Sequence, residues 1–258
     1  MEQVQNYADD RLINGCIYCG DPADTRDHVP SRILLDAPFP ENLPVVGACW
    51  PCNNGFSQDE EYLACLIEVA VAGSTDPDRI RRLAVAKILR RSPALRAKLD
   101  AAQISKEGRI YLNVESERVK NVLLKLARGH AAFELSQLCR EEPSSLWWCA
   151  LALMSEGQLD SFNASHVVEM LGEIGSRQSQ RLLVTQFVFQ SEDSEQSALG
   201  LLINDWIDVQ DSRYRYLAID DGDQIRIKIV IAEYLACEVV WNREYEETEH
   251  IGNPTKAA

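Results

Sequence analysis

The residues with the means to do chemistry crowd into the first quarter of a 258-residue chain. Cys16-Ile17-Tyr18-Cys19 and Cys49-Trp50-Pro51-Cys52 form two C-x2-C pairs separated by 29 residues. A two-residue spacer lets both sulfurs of a pair face one ion, and four thiolates from two such knuckles suit tetrahedral zinc. A complete thiolate shell leaves no open position for water, so the zinc is expected to be structural. The start of the chain has neither the basic segment nor the apolar run of an export signal, which disfavours a disulfide framework. The two pairs match one another and lack a strand–helix redox context, which disfavours thioredoxin-like chemistry. Cys65, Cys139, Cys149 and Cys237 sit in apolar runs and are expected to be small buried hydrophobes.

Between and beside the knuckles lie Asp27-His28-Val29-Pro30, then Glu41-Asn42-Leu43, then Asn53 directly after Cys52. Taken in this order, these motifs resemble the HNH endonucleases, also called ββα-metal or His-Me finger nucleases, over residues 16–62. The resemblance implies a zinc-bound ββα finger in which His28 is the general base. It also implies that Asp27 and Asn53 hold a single Mg2+ or Mn2+, while Asn42 orients the histidine-bearing loop. The reaction so implied is hydrolysis of a DNA phosphodiester to 5′-phosphate and 3′-hydroxyl ends, in restriction or anti-phage defence. Such hydrolysis needs a base for water and positive charge for the pentacovalent phosphate. An imidazole of ordinary pKa, about 6.5, can accept that proton at neutral pH. Phe56 stands where many members carry a lysine, and DAPFPE replaces the Gly-Gly often found before the Asn-Leu pair. A nuclease directed at RNA is one alternative, and a non-catalytic zinc scaffold in a protein complex is another.

The elements that must position these residues can be read from periodicity. Ser57 and Glu60 have the spacing of a capping box that opens a helix ending at Gly73. A second helix is expected over residues 78–91, a third after Ser92-Pro93, and a fourth over 115–138, where Val119, Val122, Leu123 and Leu126 recur at helical spacing. Strands are expected at 109–114, 146–154, 181–190, 214–220 and 224–241, with Asp220-Asp221-Gly222-Asp223 as the turn before the last. The tail after Asn242 reads as polar and frayed. The fold expected is therefore α+β. A nuclease module (1–72) precedes an accessory domain (73–258) of helices and a mixed or antiparallel sheet.

Charge is unevenly spread. The formal net charge is −14, yet residues 79–130 alone carry +10 and residues 131–258 carry −13. Screening confines electrostatic effects to a Debye length of roughly 8 Å, so a local basic surface can bind phosphates within an acidic protein. Arg79, Arg82, Lys87, Arg90 and Arg91 are the expected nucleic-acid contacts, with Arg81 beside them and Arg118, Lys120, Lys125 and Arg128 on a further helix. The acidic part favours a protein partner or self-association. Trp147-Trp148 reads as core, and His130 as a packed or surface histidine. No run of 18 apolar residues occurs, so neither a membrane span nor secretion is expected, and the cytoplasm is the expected location.

Overall fold

A computed structural model describes residues 15–106, 109–172, 174–190 and 196–243. Residues 244–258, expected to be a frayed tail, lie outside the described residues, as does His250. The first knuckle is a turn closed by a bridge between Gly15 and Pro22. Strand β1 (Thr25–His28) follows and pairs antiparallel with β2 (Val45–Ala48), with His28 opposite Val45 and Asp27 opposite Val46. The chain then enters α1 (Trp50–Gly55) at the second knuckle and continues as α2 (Ser57–Ala72).

Helix α2 opens at Ser57, as expected, but without the capping box, and the short helix α1 precedes it. Cys49 is the extended N-cap residue of α1, Pro51 suits the first turn, and Asp24 Oδ1 accepts from the Trp50 amide at 2.6 Å. Ser57 instead donates to Asn54 O, and Glu60 is drawn away to Ser31 and Lys125. The stop at Gly73 is as expected. The glycine has φ 59° and closes the last turn through its amide to Ala70 O, a left-handed cap that suits a residue without Cβ.

Helix α3 covers only Leu83–Arg91, five residues shorter than expected. Ser74 and Asp76 side chains accept from the Asp76 and Asp78 amides, so local turns compete with helix there. Helix α4 (Pro93–Ala101), the hairpin β3 (Gln103–Lys106) and β4 (Arg109–Leu112), and the long α5 (Ser116–Leu135) follow. Beyond them stand β5 (Ser145–Ala150), α6 (Glu156–Asn163), β6 (His166–Val167), β7 (Leu183–Gln190), β8 (Gln196–Asn204), β9 (Ile207–Gln210), β10 (Tyr214–Asp220), β11 (Gln224–Ile231) and β12 (Leu235–Asn242). They form a five-stranded antiparallel sheet, β5-β12-β11-β10-β9, and a three-stranded one, β6-β8-β7. The fold class is α+β, and its sheets are antiparallel.

The expected strand 224–241 is two strands folded back on one another. Ile231 pairs with Leu235 across a turn in which Ala232 and Glu233 take φ 58° and 45°. Neither is the glycine or asparagine that announces such a turn. Arg215 binds Glu233 through two hydrogen bonds, 2.8 and 3.1 Å, and helps hold the corner.

One apolar core joins α2, α3 and α5 to the five-stranded sheet, from Tyr62 and Leu63 through Leu123 and Leu126 to Ile227 and Val239. The packing shows no break at residue 72. A smaller cluster (Cys16, Ile17, Tyr18, Val29, Val46, Ala48, Cys49) seats the knuckles against Ala132 of α5. Helix α5 is thus the floor of both halves. It comes so close to β1 at Gly129 that a Cβ there would stand 2.6 Å from Val29 Cγ2.

Candidate functional site

Four sulfurs meet at one point. The Sγ atoms of Cys16, Cys19, Cys49 and Cys52 all lie within 4.8 Å of one another, and Cys19 and Cys49 are 3.6 Å apart. Tetrahedral zinc with Zn–S bonds near 2.3 Å requires sulfurs about 3.8 Å apart, so the cluster can hold a structural metal such as zinc. Local chemistry prepares it. Burial raises the Cys16 thiol, but amides of Cys49, Cys19 and Tyr18 outweigh that and bring it down to about 7. Cys19 is pushed up to about 11: an Asp21 amide pulls it down, and desolvation with the Cys49 and Cys16 thiols overcomes this. Burial, reinforced by the same neighbours, raises Cys52 further. Thiolates held this close repel one another, and a dication would offset that repulsion. The clasp is tied to the rest of the chain by the Ile17 amide to Gly47 O (3.0 Å) and by Arg140 to Cys16 O (3.0 Å).

His28 stands at the end of β1, about half-buried. Burial lowers its pKa, and the charges of Arg32 and Lys125 lower it further against the opposing pull of Asp27, so the ring is neutral at pH 7. Its Nδ1 is buried and makes no hydrogen bond among the described residues. Strand alternation sends Arg26 to the same face as His28, and Arg32 lies one turn beyond, exposed. Asn42 is exposed in the turn three residues before Val45, the register partner of His28.

Asp27 faces the other way, into the protein, and is 6% exposed. Tyr18 donates to its Oδ2 at 2.7 Å, and Lys125 Nζ lies 3.0 Å from Oδ1 and 2.9 Å from Oδ2. The same ammonium donates to Ser31 Oγ at 2.7 Å and to Glu60, while Ser31 also donates to Glu60. Phe56 covers this group, its ring 5.1 Å from Tyr18 and 5.6 Å from Lys125 Nζ. Asn53 is directed elsewhere: its Nδ2 donates to Thr25 Oγ1 (3.1 Å) and Arg26 O (3.2 Å), fixing α1 to β1. A divalent ion on Asp27 and Asn53 does not fit this arrangement, because an ammonium already sits against both Asp27 oxygens. Lys125, expected on a basic surface, is 2% exposed.

The expected nucleic-acid contacts divide. Arg79, Lys87, Arg90 and Arg91 are exposed, the last two in ion pairs with Asp78 (2.5 Å) and Glu61. Arg82 is not on the surface. It is 7% exposed and binds Asp36 at 2.6 Å, Ile33 O at 3.0 Å and Leu35 O. Arg118 pairs with Asp59 and stacks on Tyr62, and Lys120 pairs with Glu117. Arg128 binds the carbonyls of Cys139, Arg140 and Glu141.

Among the other expectations, Cys65, Cys139 and Cys237 are buried, whereas Cys149 is only partly so. His130 is wholly buried between Tyr214 and Tyr216. Trp147 is not core. It lies on edge strand β5, 36% exposed, against Phe162 and Glu238. Sequence reasoning missed Tyr18 and Lys125 as partners of Asp27, and Ser31 and Glu60 as the further partners of Lys125. The available signal was Lys125 itself, a charge within the apolar stripe Val122–Leu126–Gly129 of α5. A scan of protein-family models and searches of curated proteins and of solved structures match nothing to this chain.

Proposed function

We propose that this chain is an HNH-type endonuclease that hydrolyses DNA phosphodiesters, with His28 as general base on a zinc-clasped ββα finger. The observation that carries the reading is a neutral, half-buried imidazole at the end of a strand beside the tetracysteine cluster, with the exposed Arg32 close enough to act on its charge. His28 takes the proton of a water as its oxygen forms a bond to phosphorus. The P–O3′ bond breaks in line, and the leaving oxygen is protonated from solvent. Arg32 offers positive charge to the phosphate, which the reaction requires wherever charge accumulates. Asp27 and Asn53, expected to hold Mg2+ or Mn2+, are engaged by Lys125 and by Thr25 instead. Asn42 keeps the proposed part of steadying the loop that leads to β2. Arg79, Arg81 and Lys87, exposed, are the proposed phosphate contacts beyond the finger, with duplex DNA favoured over RNA and a cytoplasmic setting, in restriction or anti-phage defence.

The accessory part is proposed to meet a protein or a second copy. The hairpin β7–β8 exposes Leu183 (55%), Phe187 (48%) and Leu199 (52%) on one face, and Val184 (74%) and Val188 (61%) on the other. Exposed apolar faces mark interaction sites, and these also favour the second reading, a zinc scaffold without catalysis. Plasmid nicking by the wild type and by His28→Ala separates the two. Loss of nicking in a variant that retains zinc supports catalysis by His28. Equal nicking by both overturns its role.

A further inference from the structure

We propose that the ammonium of Lys125 is the resident cation of the acidic pocket beneath β1, and that this pocket binds no divalent ion. Asp27 and Glu60 converge on one point from β1 and α2, as a metal site would require, and Ser31 adds a third oxygen. That point is filled by Nζ, at contact distance from all three groups, on a side chain 1% exposed. A buried charge survives only when paired and hydrogen-bonded, and all three ammonium protons find oxygen here. The lysine reaches the site because Gly129, one turn further along α5, lets the helix approach Val29. Tyr18 donates to Asp27 Oδ2, and the Phe56 ring lies 5.6 Å from Nζ, so Mg2+ with its retained waters would have to displace the ammonium. The covalently tethered cation therefore does the electrostatic work of joining strand to helix. The inference stands apart from any cleavage by His28, because it is read by ion binding.

The experiment uses the full-length, zinc-loaded protein and Mn2+ alone, followed by the electron paramagnetic resonance signal of free Mn2+. Wild type and Asp27→Asn should deplete the signal equally. Lys125→Met should take up one additional Mn2+ per chain, lost again in Lys125→Met/Asp27→Asn. Melting with millimolar Mg2+ gives a second measurement that needs no lysine variant. The wild type should melt at the same temperature with and without the ion, because only a ligand bound to the native state raises it. One Mn2+ per wild-type chain that Asp27→Asn abolishes, or a Mg2+-dependent rise in melting temperature that Asp27→Asn abolishes, overturns the proposal.

Discussion

At the scale of single residues, the chain separates histidines by environment. Partial burial lowers His28, whereas complete burial drives His130 down to about 3. The unfolded chain, with histidine near 6.5, therefore binds a proton that the folded chain refuses between these two values. That contribution to stability is present in full above about pH 6.5 and is lost as pH falls toward 3. Between pH 7 and pH 5 it should cost about 2 kcal/mol, at 1.36 kcal/mol per pKa unit. Urea unfolding at the two pH values checks this: His130→Leu should show a shallower loss than the wild type. The cysteine clasp was legible because its ligands come in local pairs whose spacing dictates geometry. Lys125 was not, because its partner Asp27 lies 98 positions away and only the packing of α5 brings them together. Arg82 misled for a related reason: in a run of arginines, sequence cannot tell the one that folds inward to Asp36.

At the scale of elements, α5 illustrates how the fold chooses between propensity and packing. Glycine inside a helix costs about 1 kcal/mol relative to alanine, yet Gly129 occupies the middle of α5, where Val29 lies against it. Gly129→Ala should destabilise the protein despite its better propensity, by about 1–3 kcal/mol, the range for overpacked cores. Thermal unfolding measures it, and pairing the change with Val29→Ala should recover part of the loss. Most long elements were legible from periodicity, including α5 and its apolar stripe, the cap at Gly73 and the hairpin at 220–223. The shortened α3 and the corner at Ala232–Glu233 were not, since side-chain turns and an Arg215–Glu233 clamp override local preference there. Strand β8, helix α6 and the hairpin partner β3 were also not legible in the sequence pattern.

At the scale of the whole molecule, the cysteine cluster and the larger core are packed apart: Cys16, Cys49 and Cys52 belong to the small cluster beside Ala132, and none of the four clustered cysteines belongs to the core under the five-stranded sheet. Cys49→Ser should therefore lose bound zinc, read by elemental analysis, and loosen residues 16–53 to amide exchange while the sheet stays protected. Equal loss of protection in β10–β12 would show that the clasp supports the entire fold. The division into a nuclease module and an accessory domain, drawn from composition, finds no matching gap in the packing, because α2 and α5 share apolar partners that sequence alone does not reveal.

The proposed hydrolysis depends on a single imidazole, and plasmid cleavage reads its contribution. Supercoiled plasmid is incubated with zinc-loaded wild type and with His28→Ala, whose zinc content and melting temperature are first shown to match. The account expects nicks bearing 5′-phosphate and 3′-hydroxyl ends from the wild type, and a drop of at least about 100-fold in the variant, the usual contribution of a general base. Undiminished nicking by His28→Ala, or intact plasmid in both, would contradict it.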